Sequence, residues 1–179
     1  MKEPISTYTN LAYVIVAALL FPELTFISVF CLGIASGTYH YFGGRKDWRN
    51  SVTARYWDAR MMYFTFNSII GHLIYVNTGE VYAPILMVVL LTAWMWYHRE
   101  HYSSTYVSAW QVTIGGTLSY VAFDSLWFLP IFAIAYLCNI PFLNDFHRHH
   151  GWSHFWVDLL HGIWHILTAI AIYGMATGF

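Results

Sequence analysis

Long apolar runs separated by short polar breaks dominate the chain. A helix needs about 20 mostly apolar residues to cross a bilayer, and the pattern predicts seven such segments. The first, Thr7 to Phe21, is short and stops at Pro22-Glu23. The second runs from Leu24 to Phe42 and ends at Gly43-Gly44. The third runs from Arg55 to Val76 and ends before Asn77-Thr78-Gly79. The fourth covers Tyr82 to Tyr97. The fifth and sixth share Tyr106 to Asn139, with a tight turn near Asp124-Ser125. The seventh runs from Phe155 to Ala176. The expected fold is all-α, an integral membrane bundle of seven transmembrane helices forming a single domain over residues 1–179. No linker, internal repeat or low-complexity tract interrupts it.

Composition points the same way. Charged residues make up 9% of the 179 positions, where a soluble domain has about 25%. The apolar share is 58% and the aromatic share 20%. Too few polar side chains remain to cover a soluble surface. A soluble enzyme, a disordered chain and a nucleic-acid binder with a basic face are excluded. Cys31 and Cys138 both sit in apolar runs, so no structural disulfide is expected. No signal peptide is expected either, because Met1 to Asn10 is polar and no small-residue cleavage site follows the first apolar run.

The basic residues orient the bundle. Lys2 precedes the first helix. Arg45, Lys46 and Arg49 follow the second, and Arg55 and Arg60 open the third. Arg99 follows the fourth, and Arg148 lies between the sixth and seventh. With seven spans all 8 basic side chains fall on one side. The positive-inside rule then places the N-terminus in the cytoplasm and the C-terminus outside. Trp48, Trp57, Trp96 and Trp152, near helix ends, fit an interfacial aromatic belt.

Against this background the ionisable residues stand out, because each is expensive inside a membrane. The chain has 10 histidines. Five groups fall near the cytoplasmic ends of three segments: Ser36 and His40 in the second helix, Asp58 in the third, and His161 and His165 in the seventh. Residues four apart share a helix face. A histidine pair at that spacing can aim both rings at one metal ion. Three neutral imidazoles make a zinc site whose fourth position is left to water. Zinc lowers the pKa of such a water to about 7. Asp58 can then accept its proton or orient it, and Ser36 can donate to the oxyanion that forms. The competing view of each group is a buried polar residue that bridges helices. Asp158, three residues before His161, is either a partner that fixes an imidazole tautomer or a charge that interacts with the helix dipole.

Ser36-Gly-Thr-Tyr39-His40, an Asp at the start of the next helix, and His161-Gly-Ile-Trp164-His165-Ile-Leu-Thr168 in the last helix resemble the signature of the CREST superfamily. That group contains the alkaline ceramidases, the progestin and adipoQ receptors, the GPI-anchor remodelling proteins and the SID transmembrane proteins. The resemblance implies a zinc ion on His40, His161 and His165, with Asp58 and Ser36 as catalytic residues beside it. It implies zinc-dependent hydrolysis of a lipid amide or ester, the lipid being drawn from the bilayer.

Two other readings of the residues stay open. His147, Arg148, His149, His150 and His154 before the seventh helix, with His98 and His101 after the fourth, are similar to the histidine boxes of di-iron membrane desaturases and hydroxylases. No clean His-x-x-His-His box is present, and Ser36 and Asp58 would have no role. The other reading is a non-catalytic receptor with structural zinc, which a closed four-ligand site would mark. A retinal protein is excluded because Lys2 and Lys46 are the only lysines. A haem carrier with paired axial histidines would not need a third histidine, a serine and an aspartate together.

Overall fold

A computed structural model describes residues 3–20, 25–42, 48–97, 104–143 and 149–179. Among these residues every regular element is an α-helix. We number them in chain order. Helix α1 comprises two consecutive stretches, Pro4–Thr9 and Leu11–Leu19, which meet at Asn10 in the right-handed helical conformation. Then follow α2 (Phe26–Phe42), α3 (Trp48–Thr78), α4 (Tyr82–Tyr97), α5 (Ser104–Phe123), α6 (Phe128–Leu143) and α7 (His154–Thr177). Among the described residues their order and number match the apolar runs. The main difference is α3, which reaches 31 residues and begins seven residues before its apolar pattern does. Its first two turns are polar, and backbone hydrogen bonding propagates through polar residues at little cost.

The breaks have local causes. Gly79 adopts φ +71° after α3, the left-handed conformation in which glycine carries no Cβ penalty. Asp124 takes φ +52° between α5 and α6, at the turn expected there, and its N–H donates back to the Tyr120 carbonyl. Aspartate tolerates this region better than most side chains do.

Helix α7 is the hub, packing against α1, α3, α5 and α6, while α3 packs against α2, α4 and α5. The buried face of α7 repeats every turn: Val157 and Asp158, His161 and Gly162, His165, Thr168 and Ala169, Ile172, Met175 and Ala176. Small residues in this set let neighbours approach closely. A Cβ on Gly162 would meet Ile5 Cγ2 of α1 at 2.8 Å, so only glycine lets α1 lie this near the histidine beside it. The apolar core joins Tyr13, Val16 and Leu20 of α1, Val29 and Leu32 of α2, Phe66, Ile69 and Leu73 of α3, Phe128 of α6, and Ile172 and Met175 of α7. Cys31 and Cys138 are free thiols.

Among the described residues one helix, His154–Thr177, is long and apolar enough to cross a membrane. Pro4–Leu19, Phe26–Phe42, Tyr82–Trp94 and Phe128–Phe142 are shorter apolar helices.

Candidate metal centre

Two helices bring His40, His161 and His165 together at the bundle core. His40 comes from the last turn of α2, and the other two lie one turn apart on the buried face of α7. All three are buried. His40 Nε2 lies 3.2 Å from His161 Nε2 and 3.1 Å from His165 Nε2. The donor atoms of the three all lie within 4.8 Å of one another, and among the described residues no fourth His, Cys, Asp or Glu joins them.

The other ring nitrogens show how two of the three imidazoles are oriented. His40 Nδ1 lies 2.6 Å from Glu3 Oε2. A carboxylate only accepts, so His40 donates there and presents a lone pair at Nε2 when neutral. His161 Nδ1 lies 2.7 Å from Asn139 Oδ1, an acceptor that fixes the same tautomer. His40 and His161 therefore turn Nε2 lone pairs toward each other 3.2 Å apart, which is repulsive without a cation between them. A divalent ion held by the three Nε2 atoms would relieve that repulsion. Tetrahedral zinc with Zn–N of about 2.0–2.1 Å separates its nitrogens by roughly 3.3 Å, close to the spacing found here. The buried cluster can hold a metal ion with three protein ligands, and its donor set suits zinc.

The rings are held firmly. His161 is stacked between Phe142 (centroids 3.7 Å apart, 15° between planes) and Trp164 (4.9 Å, 19°). Tyr13 of α1 meets His165 edge-on at 5.8 Å. His165 Nδ1 is buried and has no hydrogen-bond partner among the described residues.

The two proposed catalytic side chains stand differently. Ser36 is buried one turn before His40 on α2, on the helix face that carries the ligand. Asp58 of α3 is half-buried and lies outside the donor group.

Asp158 takes neither role expected of it. Its carboxylate accepts from the N–H groups of Ile5 (3.0 Å) and Ser6 (2.9 Å) and from Ser6 Oγ (2.5 Å). It therefore caps the N-terminus of α1, a different helix, satisfying amide donors that have no partner inside α1. The imidazole partners are Glu3 and Asn139, and neither was expected. Asn139 carried a signal: it is a polar side chain in the apolar run of α6, where polar groups are costly. Glu3 carried none beyond its charge.

Of the loop histidines, His98, His101 and His147 lie outside the described residues, as do the basic residues Lys2, Arg45, Lys46, Arg99 and Arg148. His149, His150 and His154 are exposed and belong to no potential metal cluster among the described residues. No family model, curated protein or solved structure matches the chain.

Proposed function

We propose that the chain is an integral membrane zinc hydrolase that cleaves an amide or ester bond of a lipid. The observation that carries this reading is the convergence of three buried imidazole nitrogens near zinc spacing, with no fourth His, Cys, Asp or Glu joining them among the described residues. Three ligands leave a coordination position for chemistry, whereas structural zinc sites are closed by four. The resemblance to the CREST superfamily supports the same substrate class.

The exterior supports the membrane. Large apolar side chains are exposed on successive helices: Leu11, Ile15 and Leu19 on α1, Ile27 and Ile34 on α2, Leu86, Val89 and Leu90 on α4, Ile134 and Leu137 on α6, and Ile166 and Ile170 on α7. A soluble monomer rarely exposes contiguous apolar patches of more than a few hundred Å², and lipid is the natural cover. We read the bundle as multi-pass, with the N-terminus cytoplasmic, the C-terminus outside and the histidine cluster towards the cytoplasmic side.

Bound at the cluster, zinc supplies Lewis-acid polarisation and hydroxide at neutral pH. In this reading His40, His161 and His165 hold it. Asp58 takes the proton released on attack and returns it to the leaving group. Ser36 donates its hydroxyl to the developing oxyanion. Glu3 and Asn139 keep His40 and His161 in the tautomer that ligates.

Metal analysis of detergent-purified protein, followed by a panel of ceramides, N-acyl amides and phospholipids, tests the proposal. The expected result is one zinc per chain and fatty-acid release from one lipid class, lost on chelation and restored by zinc. Two irons per chain would replace the reading with the di-iron one. Stoichiometric zinc without cleavage of any lipid would refute the hydrolase.

Orientation has its own test. In intact cells, a cysteine replacing Lys46 should be shielded from impermeant thiol reagents, and one replacing Glu80 should be labelled. The reverse pattern would overturn the N-terminus-inside topology.

A further inference from the structure

Helix α1 contributes no ligand to the cluster, yet its first turn is tied to both helices that do. Glu3 occupies the residue before α1. Its backbone carbonyl accepts from the Thr7 N–H at 3.0 Å and from Thr7 Oγ1 at 2.8 Å, which fixes the backbone from which the side chain leaves. The side chain then reaches His40 of α2 at 2.6 Å. Two and three residues on, Ile5 and Ser6 are held by the Asp158 carboxylate of α7, and Ser6 Oγ also lies 3.2 Å from the Asp158 carbonyl. Asp158 stands one turn before His161. An unbroken path therefore runs from α7 through the first turn of α1 to the ring of His40.

The three imidazoles differ in their outer partners. His40 has a carboxylate, His161 has an amide oxygen, and His165 Nδ1 has none among the described residues. A carboxylate on the distal nitrogen raises the basicity of the ligating one and fixes the ring. Its short contact is of the charge-assisted kind. His40 is thereby the strongest donor of the set, and its strength depends on a residue outside the helices that carry the ligands.

We infer that Glu3 is a metal-positioning residue and that the N-terminal turn of α1, clamped by Asp158, is a strap that holds it on His40. The inference rests on the metal reading of the cluster but not on hydrolysis. Anything that lifts the first turn of α1 off α7 weakens the metal without touching a ligand.

The test is a double-mutant cycle on the full-length protein in detergent. Zinc affinity is read by chelator competition, and the cobalt(II)-loaded protein is read by its visible ligand-field spectrum. Glu3→Gln keeps a hydrogen-bond acceptor but removes the charge. It should lower zinc affinity about 10–100-fold, the usual cost of losing an outer-shell partner, and shift the cobalt bands. Asp158→Asn should lower affinity several-fold in the wild-type background and have no further effect in the Glu3→Gln background, because it acts through Glu3. Ser6→Ala, a milder cut in the same clamp, should behave likewise and serves if Asp158→Asn does not fold. Wild-type affinity and spectrum in Glu3→Gln would overturn the inference while leaving the metal reading intact. Additive losses from Asp158 and Glu3 would overturn the strap. A wild-type protein that takes up no zinc would refute the metal reading itself, and this inference with it.

Discussion

His161→Ala should reduce bound zinc from one per chain to near zero and abolish lipid hydrolysis. Three effects add at this residue. The substitution removes one of three ligands, and two imidazoles do not complete a zinc site of either kind. It leaves Asn139 Oδ1, the acceptor 2.7 Å from the lost ring, without that partner inside the bundle, at a cost of about 1–3 kcal/mol. It also empties the slot between Phe142 and Trp164, where the imidazole is stacked on both sides; the cavity adds a further penalty that depends on how far those rings collapse. Loss of metal should therefore come with a lower melting temperature. Extracting zinc from the wild type should lower it in the same direction, because any ligand bound only by the native state stabilises that state. His40→Ala and His165→Ala should lose zinc as well. His72→Ala is the control. It removes another buried histidine, from α3, that does not belong to the cluster, and zinc should remain. Full zinc occupancy in His161→Ala would refute the ligand set.

Much of the architecture was readable because the chain alternates between two simple regimes. Apolar runs are closed by residues with a physical reason to stop a helix: Asn77-Thr78-Gly79, and the Asp124 turn that divides α5 from α6. The histidine cluster was readable because i, i+4 spacing puts His161 and His165 on one face whatever the tertiary structure. His40 joined them through its place beside Ser36 in a resembling motif. What could not be read depends on contacts between residues far apart in sequence. Glu3 and His40 are 37 residues apart, and Asp158 and Ser6 are 152 apart. An acid just before Pro4 looks like an ordinary start of a helix. An acid near His161 looks like that histidine's partner. Only the packing of α1 between α2 and α7 assigns Glu3 to a histidine and Asp158 to the end of another helix.

Asp58→Asn and Ser36→Ala should separate catalysis from metal binding. Asp58 is outside the donor group and a neutral serine hydroxyl is not among the usual zinc ligands, so both variants should keep zinc at one per chain and bind it with near wild-type affinity. Their losses should fall on turnover. Asparagine keeps the shape of aspartate but cannot take a proton, and general-base catalysis contributes about 10²–10⁴-fold. One lost oxyanion donor costs about 10²–10³-fold, the range expected of Ser36→Ala. The geometry makes the two cases unequal. Ser36 is fixed on the helix of a ligand, one turn from His40, so its hydroxyl moves with the metal. Asp58 belongs to α3, which carries no ligand, while Tyr13 of α1 meets His165 edge-on. Tyr13→Phe removes the hydroxyl and leaves the ring contact. If Asp58 works on the water directly, Tyr13→Phe should cost much less than Asp58→Asn. Equal losses would mean that the carboxylate acts through the tyrosine, which would then be the group nearer the substrate. Near wild-type turnover in Asp58→Asn would remove Asp58 as the base. Loss of zinc from the same variant would make it part of the metal's support, and the three-ligand site with an open position would have to be abandoned.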